Sequence, residues 1–230
     1  MQRTRVKICG IRDVETALVA AEAGADAIGL VFVSGSPRYV APDQAEQIVR
    51  ALPAFVQPVA LFADATAEEI RSTAMLLGIH TVQLHGGETP QFAASLAPLR
   101  VIKAMAFDAR QASEALRPWR TCCDNLAGIL FDAPPPQLDG LRGGSGRTFD
   151  WQALANLIHG GMLAGLPPLI LAGGLDADNV GSAIRSVRPY AVDVSSGVES
   201  SRGIKDAQRI RQFMRAVLEA DTQRRQGETV

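Results

Sequence analysis

Two residues in this sequence sit where a reacting group could be presented. Cys9 closes the apolar run RVKIC (5–9) and is followed by a glycine. Asp132 closes GILFD (128–132), a run with no other charge, and a loop rich in proline and glycine follows it. A cysteine becomes a nucleophile or base as the thiolate, and a carboxyl group can give or take a proton. Each also has a plainer reading. Free cysteine often packs as a small buried hydrophobe, and an aspartate at a strand end can cap a helix or tie down a loop.

Spacing adds to the first reading. Lys7 and Cys9 are two residues apart, so in a strand both point to one side, about 6–7 Å from each other. If that side is interior, the lysine lies just below the thiol and favours the thiolate. The alternative puts Lys7 outward against a helix.

The elements that must position these groups alternate along the whole chain. RVKIC is followed by the helical pattern VETALVAAEAGA, DAIGLVFV by PDQAEQIVRAL, and the order continues to AVDVSS and KDAQRIRQFMRAVLEA. Pro42 suits a helix start, and Thr66 with Glu69 has capping-box spacing. The count is eight strands and eight helices, and runs such as AIGLVF and LILA are apolar throughout, as in a parallel sheet covered on both faces. A doubly wound sheet would also alternate, but eight repeats in 230 residues fit a closed barrel better. The expectation is an α/β, single-domain (β/α)8 TIM barrel over residues 1–220, with 221–230 a frayed tail.

Such barrels carry their sites at the C-terminal strand ends. In order these are Cys9, the SGSPR loop, Ala63–Asp64, His85, Phe107–Asp108, Asp132, Gly173–Gly174 and Ser195–Ser196. Cys9 and Asp132 would face each other across the mouth as a base-and-acid arrangement. The LAGGL and DVSSGVE turns after strands 7 and 8 supply the small residues that can cradle a phosphate. Arg38, stiffened by Pro37, can hold a carboxylate through two donors. His85 either polarises a substrate or bonds its neighbours. GGSG (143–146) lacks the GK[ST] of a P-loop and reads as a lid. Among the mid-strand charges Lys7, Lys103 and Asp193, strands 1 and 8 become neighbours on closure. Lys7 and Asp193 are therefore predicted to form a buried pair beneath the site.

Composition narrows the partners. Lys plus Arg is 23 and Asp plus Glu is 24, so no general positive field recruits nucleic acid or anionic lipid. Three cysteines, two of them adjacent, build neither a disulfide framework nor a CxxC site, which points to a reducing compartment. No histidine pair has metal-ligand spacing. No run is apolar and long enough for a signal peptide or a membrane span. A cytoplasmic protein with a small-molecule ligand is expected, as a monomer with a dimer left open.

As a set, VKICGI (6–11), GLVF (29–32), SPRYV (36–40), QLHG (83–86), the strand-6 Asp followed by GGSGRTFDW, LAGGL (171–175), and VDVSSGVE followed by GIKD closely resemble the phosphoribosylanthranilate isomerase family of tryptophan biosynthesis. The resemblance runs in order from about residue 6 to residue 207. It implies a cofactor-free Amadori rearrangement of N-(5-phosphoribosyl)anthranilate. Asp132 would be the general acid that opens the furanose ring, and Cys9 the general base at C2. Arg38 would take the anthranilate carboxylate, and Gly173, Gly174, Ser195, Ser196 and Gly197 the phosphate. Such chemistry asks for a raised Asp132 pKa and a Cys9 that is at least partly thiolate. Three features depart from the family pattern: VSG before SPR, Arg12 after KICGI, and the proline-rich loop after strand 6. Rival readings are a histidine-pathway or dual-substrate aminoaldose isomerase, which would place aspartates at the ends of strands 1 and 5, and a non-catalytic phosphosugar-binding barrel.

Overall fold

Strands that are apolar on both faces need cover on both faces, and this chain provides it by closing its sheet on itself. The computed structural model describes residues 3–121, 123–134 and 148–227. Its eight-stranded parallel barrel runs in chain order: β1 (Arg5–Cys9), β2 (Ala27–Val31), β3 (Gln57–Phe62), β4 (Thr81–Leu84), β5 (Arg100–Ala106), β6 (Leu126–Asp132), β7 (Leu169–Leu171) and β8 (Ala191–Val194). β8 pairs with β1 to close the ring. The helices between them are α1 (Val14–Glu22), α2 (Pro42–Ala51), α3 (Ala67–Leu77), α4 (Pro90–Ser95), α5 (Ala112–Leu116), α6 (Trp151–His159), α7 (Val180–Val187) and α8 (Ala207–Gly227). The expected (β/α)8 architecture is present, and a short hairpin, β9 (Glu199–Ser201) and β10 (Ile204–Lys205), is added before α8.

The two-residue period of each strand divides the core. Val59, Ile102, Ala104, Leu130, Ile170, Ala172 and Ala191 fill the barrel interior. The alternate positions, among them Ile8, Ile28, Leu30, Val82 and Phe131, pack outward against the helices. Each such fully buried side chain contributes about 1.5–3 kcal/mol of hydrophobic stabilisation. Local chemistry sets the helix starts: Pro42 lies in the first turn of α2, and Thr66 and Glu69 form the reciprocal cap of α3.

α8 continues through Gly227, beyond the residue 220 expected for the end of the barrel. The reason is a distant contact. The buried Asp221 carboxylate accepts from Thr4 N at 2.7 Å and Thr4 Oγ1 at 2.8 Å, tying the helix to the start of β1. The GGSG segment expected as a lid, and Cys122, lie outside the described residues. Among the described residues no helix is long and apolar enough to cross a membrane.

Candidate active site

The C-terminal strand ends enclose a cavity of about 500 Å³. Its floor is built from β1 and β8. Lys7 stands opposite Asp193 in register, and Lys7 Nζ lies 2.9 Å from Asp193 Oδ1 with both side chains buried. The predicted pair is present, and Lys7 points inward. The same ammonium and the Cys9 thiol face one side of β1, both against Gly29, and act on each other electrostatically. β2 makes the space: a Cβ on Gly29 would stand 2.8 Å from Cys9 Sγ and 3.0 Å from Lys7 Nζ.

Burial sets the resting protonation of the thiol. It pushes the Cys9 pKa up, and the pull of Lys7 in the other direction does not cancel it. Burial thus favours the thiol over the thiolate in the resting site. Lys7 keeps its charge: burial works against it, but Asp193 and the sulfur outweigh that and raise its pKa.

Asp132 ends β6, three strands from β1 around the ring. Burial raises its pKa to about 6, against a hydrogen bond from Ala133 N at 2.8 Å. The raised value agrees with what the chemistry asks for. Its Oδ2 is 3.5 Å from His85 Nε2, long for a hydrogen bond. His85 Nδ1 in turn faces Gln83 Nε2 at 3.3 Å, while Gln83 Oε1 is buried without a hydrogen-bond partner among the described residues.

Arg38 lines the opposite wall but is not a free guanidinium. Its Nε and Nη2 donate to the two Glu199 oxygens at 2.7 and 2.9 Å, buried beneath the loop after β2. Of the phosphate-turn residues, Gly173, Gly174, Ser195 and Ser196 line the cavity. The two glycines have φ of 89° and 62°, a backbone shape that a side chain would strain. Gly197 is not on the lining, and a side chain there would collide with the Leu175 carbonyl. Asp108 closes a turn by accepting from Arg110 N and takes no part in the cavity.

A family model described as N-(5'phosphoribosyl)anthranilate (PRA) isomerase matches residues 6–216. The chain belongs to the phosphoribosylanthranilate isomerase family. It is 46% identical over 215 residues to the N-(5'-phosphoribosyl)anthranilate isomerase of Pelobacter propionicus, covering 94% of this chain and 96% of that one. The crystal structure of phosphoribosyl anthranilate isomerase from Thermotoga maritima aligns with a TM-score of 0.83 at 40% identity, over 94% of this chain and 99% of that one. A structure of the isomerase in complex with reduced 1-(o-carboxyphenylamino)-1-deoxyribulose 5-phosphate aligns with a TM-score of 0.79 at 37% identity, with the same coverages. A third, described as mutually generated monomers of the dimeric Thermotoga maritima protein, has a TM-score of 0.79 at 36% identity, again with those coverages.

Membership makes this chain an enzyme and an isomerase. Further residues gain a role from the geometry that their spacing in sequence does not show. Gly29, in GLVF, is the space for the thiol. Glu199 and Lys205, in SSGVE and GIKD, form a buried ion pair of 2.7 Å beside Arg38. Asp64 lines the rim at φ 56°, held by Gly87 N and Glu88. The available signal was a glutamate and a lysine flanking a glycine within seven residues, directly after the serine turn.

Proposed function

We propose that this chain converts N-(5-phosphoribosyl)anthranilate to 1-(2-carboxyphenylamino)-1-deoxyribulose 5-phosphate, with Asp132 as general acid and Cys9 as general base. One observation carries the reading. A thiol backed by a buried ammonium and a carboxyl group with a pKa of about 6 border one cavity, whose rim holds an arginine and two small-residue turns. A non-catalytic barrel needs the turns but neither reacting group, and an aspartate does not occupy the end of strand 1.

The steps balance in protons. Asp132 as the acid protonates the furanose ring oxygen, the C1–O bond breaks, and the anilino nitrogen forms the iminium at C1. The Cys9 thiolate takes the C2 proton, and the C2–H electrons give the neutral enolamine. The enol hydroxyl then loses its proton while C1 gains one, leaving the ketone. One proton returns from Cys9 to Asp132 to restore the pair. The resting form at pH 7 holds the opposite arrangement, thiol and carboxylate, so the reactive form is a minor one. The substrate's carboxylate and phosphate raise the Asp132 pKa further, and Lys7 supplies the counter-charge for the thiolate.

Arg38 receives the anthranilate carboxylate. The Gly173–Gly174 turn, with Ser195 and Ser196, receives the phosphate through backbone N–H groups; His85 lines the substrate site beside Asp132. One protomer supplies every group named, and a reducing cytoplasm suits a chain that works through a free thiol.

The test follows the loss of anthranilate fluorescence from enzymically generated phosphoribosylanthranilate, using wild type, Cys9→Ala and Asp132→Asn. Wild type turns over, and each variant loses at least about 100-fold in kcat. Unchanged turnover in either variant overturns the role assigned to that residue. No turnover in wild type favours the binding barrel.

A further inference from the structure

The cluster behind Arg38 is more elaborate than anion binding alone requires. Glu199 opens the β9–β10 hairpin, and its two carboxylate oxygens accept four hydrogen bonds, two from the hairpin and two from Arg38. Arg38 Nε and Lys205 Nζ, each at 2.7 Å, share Oε1; Arg38 Nη2 at 2.9 Å and Gly203 N at 3.1 Å share Oε2. The three charged side chains are each less than a tenth exposed. Lys205 continues inward to Ser195 O at 2.9 Å, and Ser195 Oγ donates to Cys9 O at 3.1 Å. The Arg38 stem lies on Gly10, where a Cβ would stand 2.7 Å from Arg38 Cδ.

Two consequences follow from this geometry. The side-on edge of the guanidinium, Nε with Nη2, is occupied, so among the described residues the end-on edge is the one left to make a two-point contact. Two cations and one carboxylate also leave a surplus positive charge in a buried place, which an anion would neutralise. Burial lowers the Lys205 pKa even beside Glu199, in keeping with that surplus.

We infer that Glu199 is the positioning residue for substrate selectivity, clamping Arg38 so that its end-on edge meets the carboxylate of an aromatic amine. The inference rests on the reading that Arg38 receives that carboxylate. Glu199 touches no reacting atom, so its effect belongs in binding discrimination rather than in the proton transfers.

The experiment titrates reduced 1-(o-carboxyphenylamino)-1-deoxyribulose 5-phosphate, and the same compound without its ring carboxylate, into wild type, Glu199→Gln, Glu199→Asp and Arg38→Gln. Wild type prefers the carboxylated compound. Glu199→Gln reduces that preference about tenfold, the loss of one charge-assisted contact, and changes binding of the decarboxylated compound less than twofold. Glu199→Asp keeps the charge but is one methylene short of the two-point contact, and it gives an intermediate preference. It decides the matter if the glutamine variant does not fold. Equal weakening of both compounds makes Glu199 a structural prop and overturns the inference. Tighter binding of the carboxylated compound does so too, since Glu199 would then only neutralise Arg38. An unchanged preference in Arg38→Gln sinks instead the assignment of the carboxylate to Arg38.

Discussion

Two lysines stand mid-strand in this barrel, both buried and both within 3 Å of a carboxylate, yet they serve different ends. Lys7, on β1, points into the barrel between Asp193 and the Cys9 thiol. Lys103, on β5, points out of it. It reaches Glu88 Oε2 and Gly86 O, each at 2.7 Å, with the Trp119 ring centre 5.9 Å away. Glu88 also accepts from Asp64 N at 2.8 Å and Gly86 N at 2.9 Å, so this pair staples the loops after β3 and β4. Strand parity decides the difference. Ile102 and Ala104 fill the interior and turn Lys103 outward, whereas Val6 and Ile8 face the helices and turn Lys7 inward. One kind of ion pair thus tunes a reacting group on one side of the wall and holds loops in place on the other.

Substituting each lysine breaks or sharpens that contrast. Lys103→Met leaves Glu88 buried without its cation and should cost about 3–5 kcal/mol of stability. Well below its melting temperature, its kcat/KM should stay within about tenfold of wild type, since the chemistry keeps Lys7. Lys7→Met removes the counter-charge of the thiolate and should lose at least about 100-fold in kcat/KM at temperatures where it remains folded. Chemical denaturation and steady-state rates on the two proteins decide. Equal loss of turnover in both would erase the distinction.

A smaller effect runs in the opposite direction. Asp132 has its folded pKa raised from 3.8 to about 6, so protonation favours the fold, and this stabilisation is lost as pH rises through about 6. Asp132→Asn should therefore stabilise the protein at pH 7 by at most about 3 kcal/mol. The gain should vanish below about pH 4, where both states of the wild-type carboxyl are protonated. Melting curves across that range check it. A variant less stable than wild type at pH 7 would show that Asp132 is held for structure, as a loop tie. Smaller again is Gly29→Ala, whose Cβ displaces the thiol and should cost about 1–3 kcal/mol and about tenfold in kcat, the price of a reacting atom moved off its position. Wild-type kcat would show that Cys9 has room to spare.

The architecture was legible because alternating apolar runs and helical patterns leave few ways to close eight repeats. The Lys7–Asp193 pair could be read as well, since ring closure makes β1 and β8 neighbours and parity brings their charges together. What escaped depends on contacts without a periodic signal. Glu199 reaches Arg38 from 161 positions away through a hairpin only a few residues long. The helical path of residues 221–227 rests on Asp221 meeting Thr4 across the whole chain. The depth of burial that favours the thiol is likewise invisible in sequence, although the lysine beside it is not.

The central claim is that Cys9 removes the proton from C2. It is tested most directly with phosphoribosylanthranilate carrying deuterium at C2, following release of the label to water by wild type and by Cys9→Ala. The account predicts release with turnover in wild type and retention of the label at C2 in Cys9→Ala. Release from Cys9→Ala at the wild-type rate would contradict it.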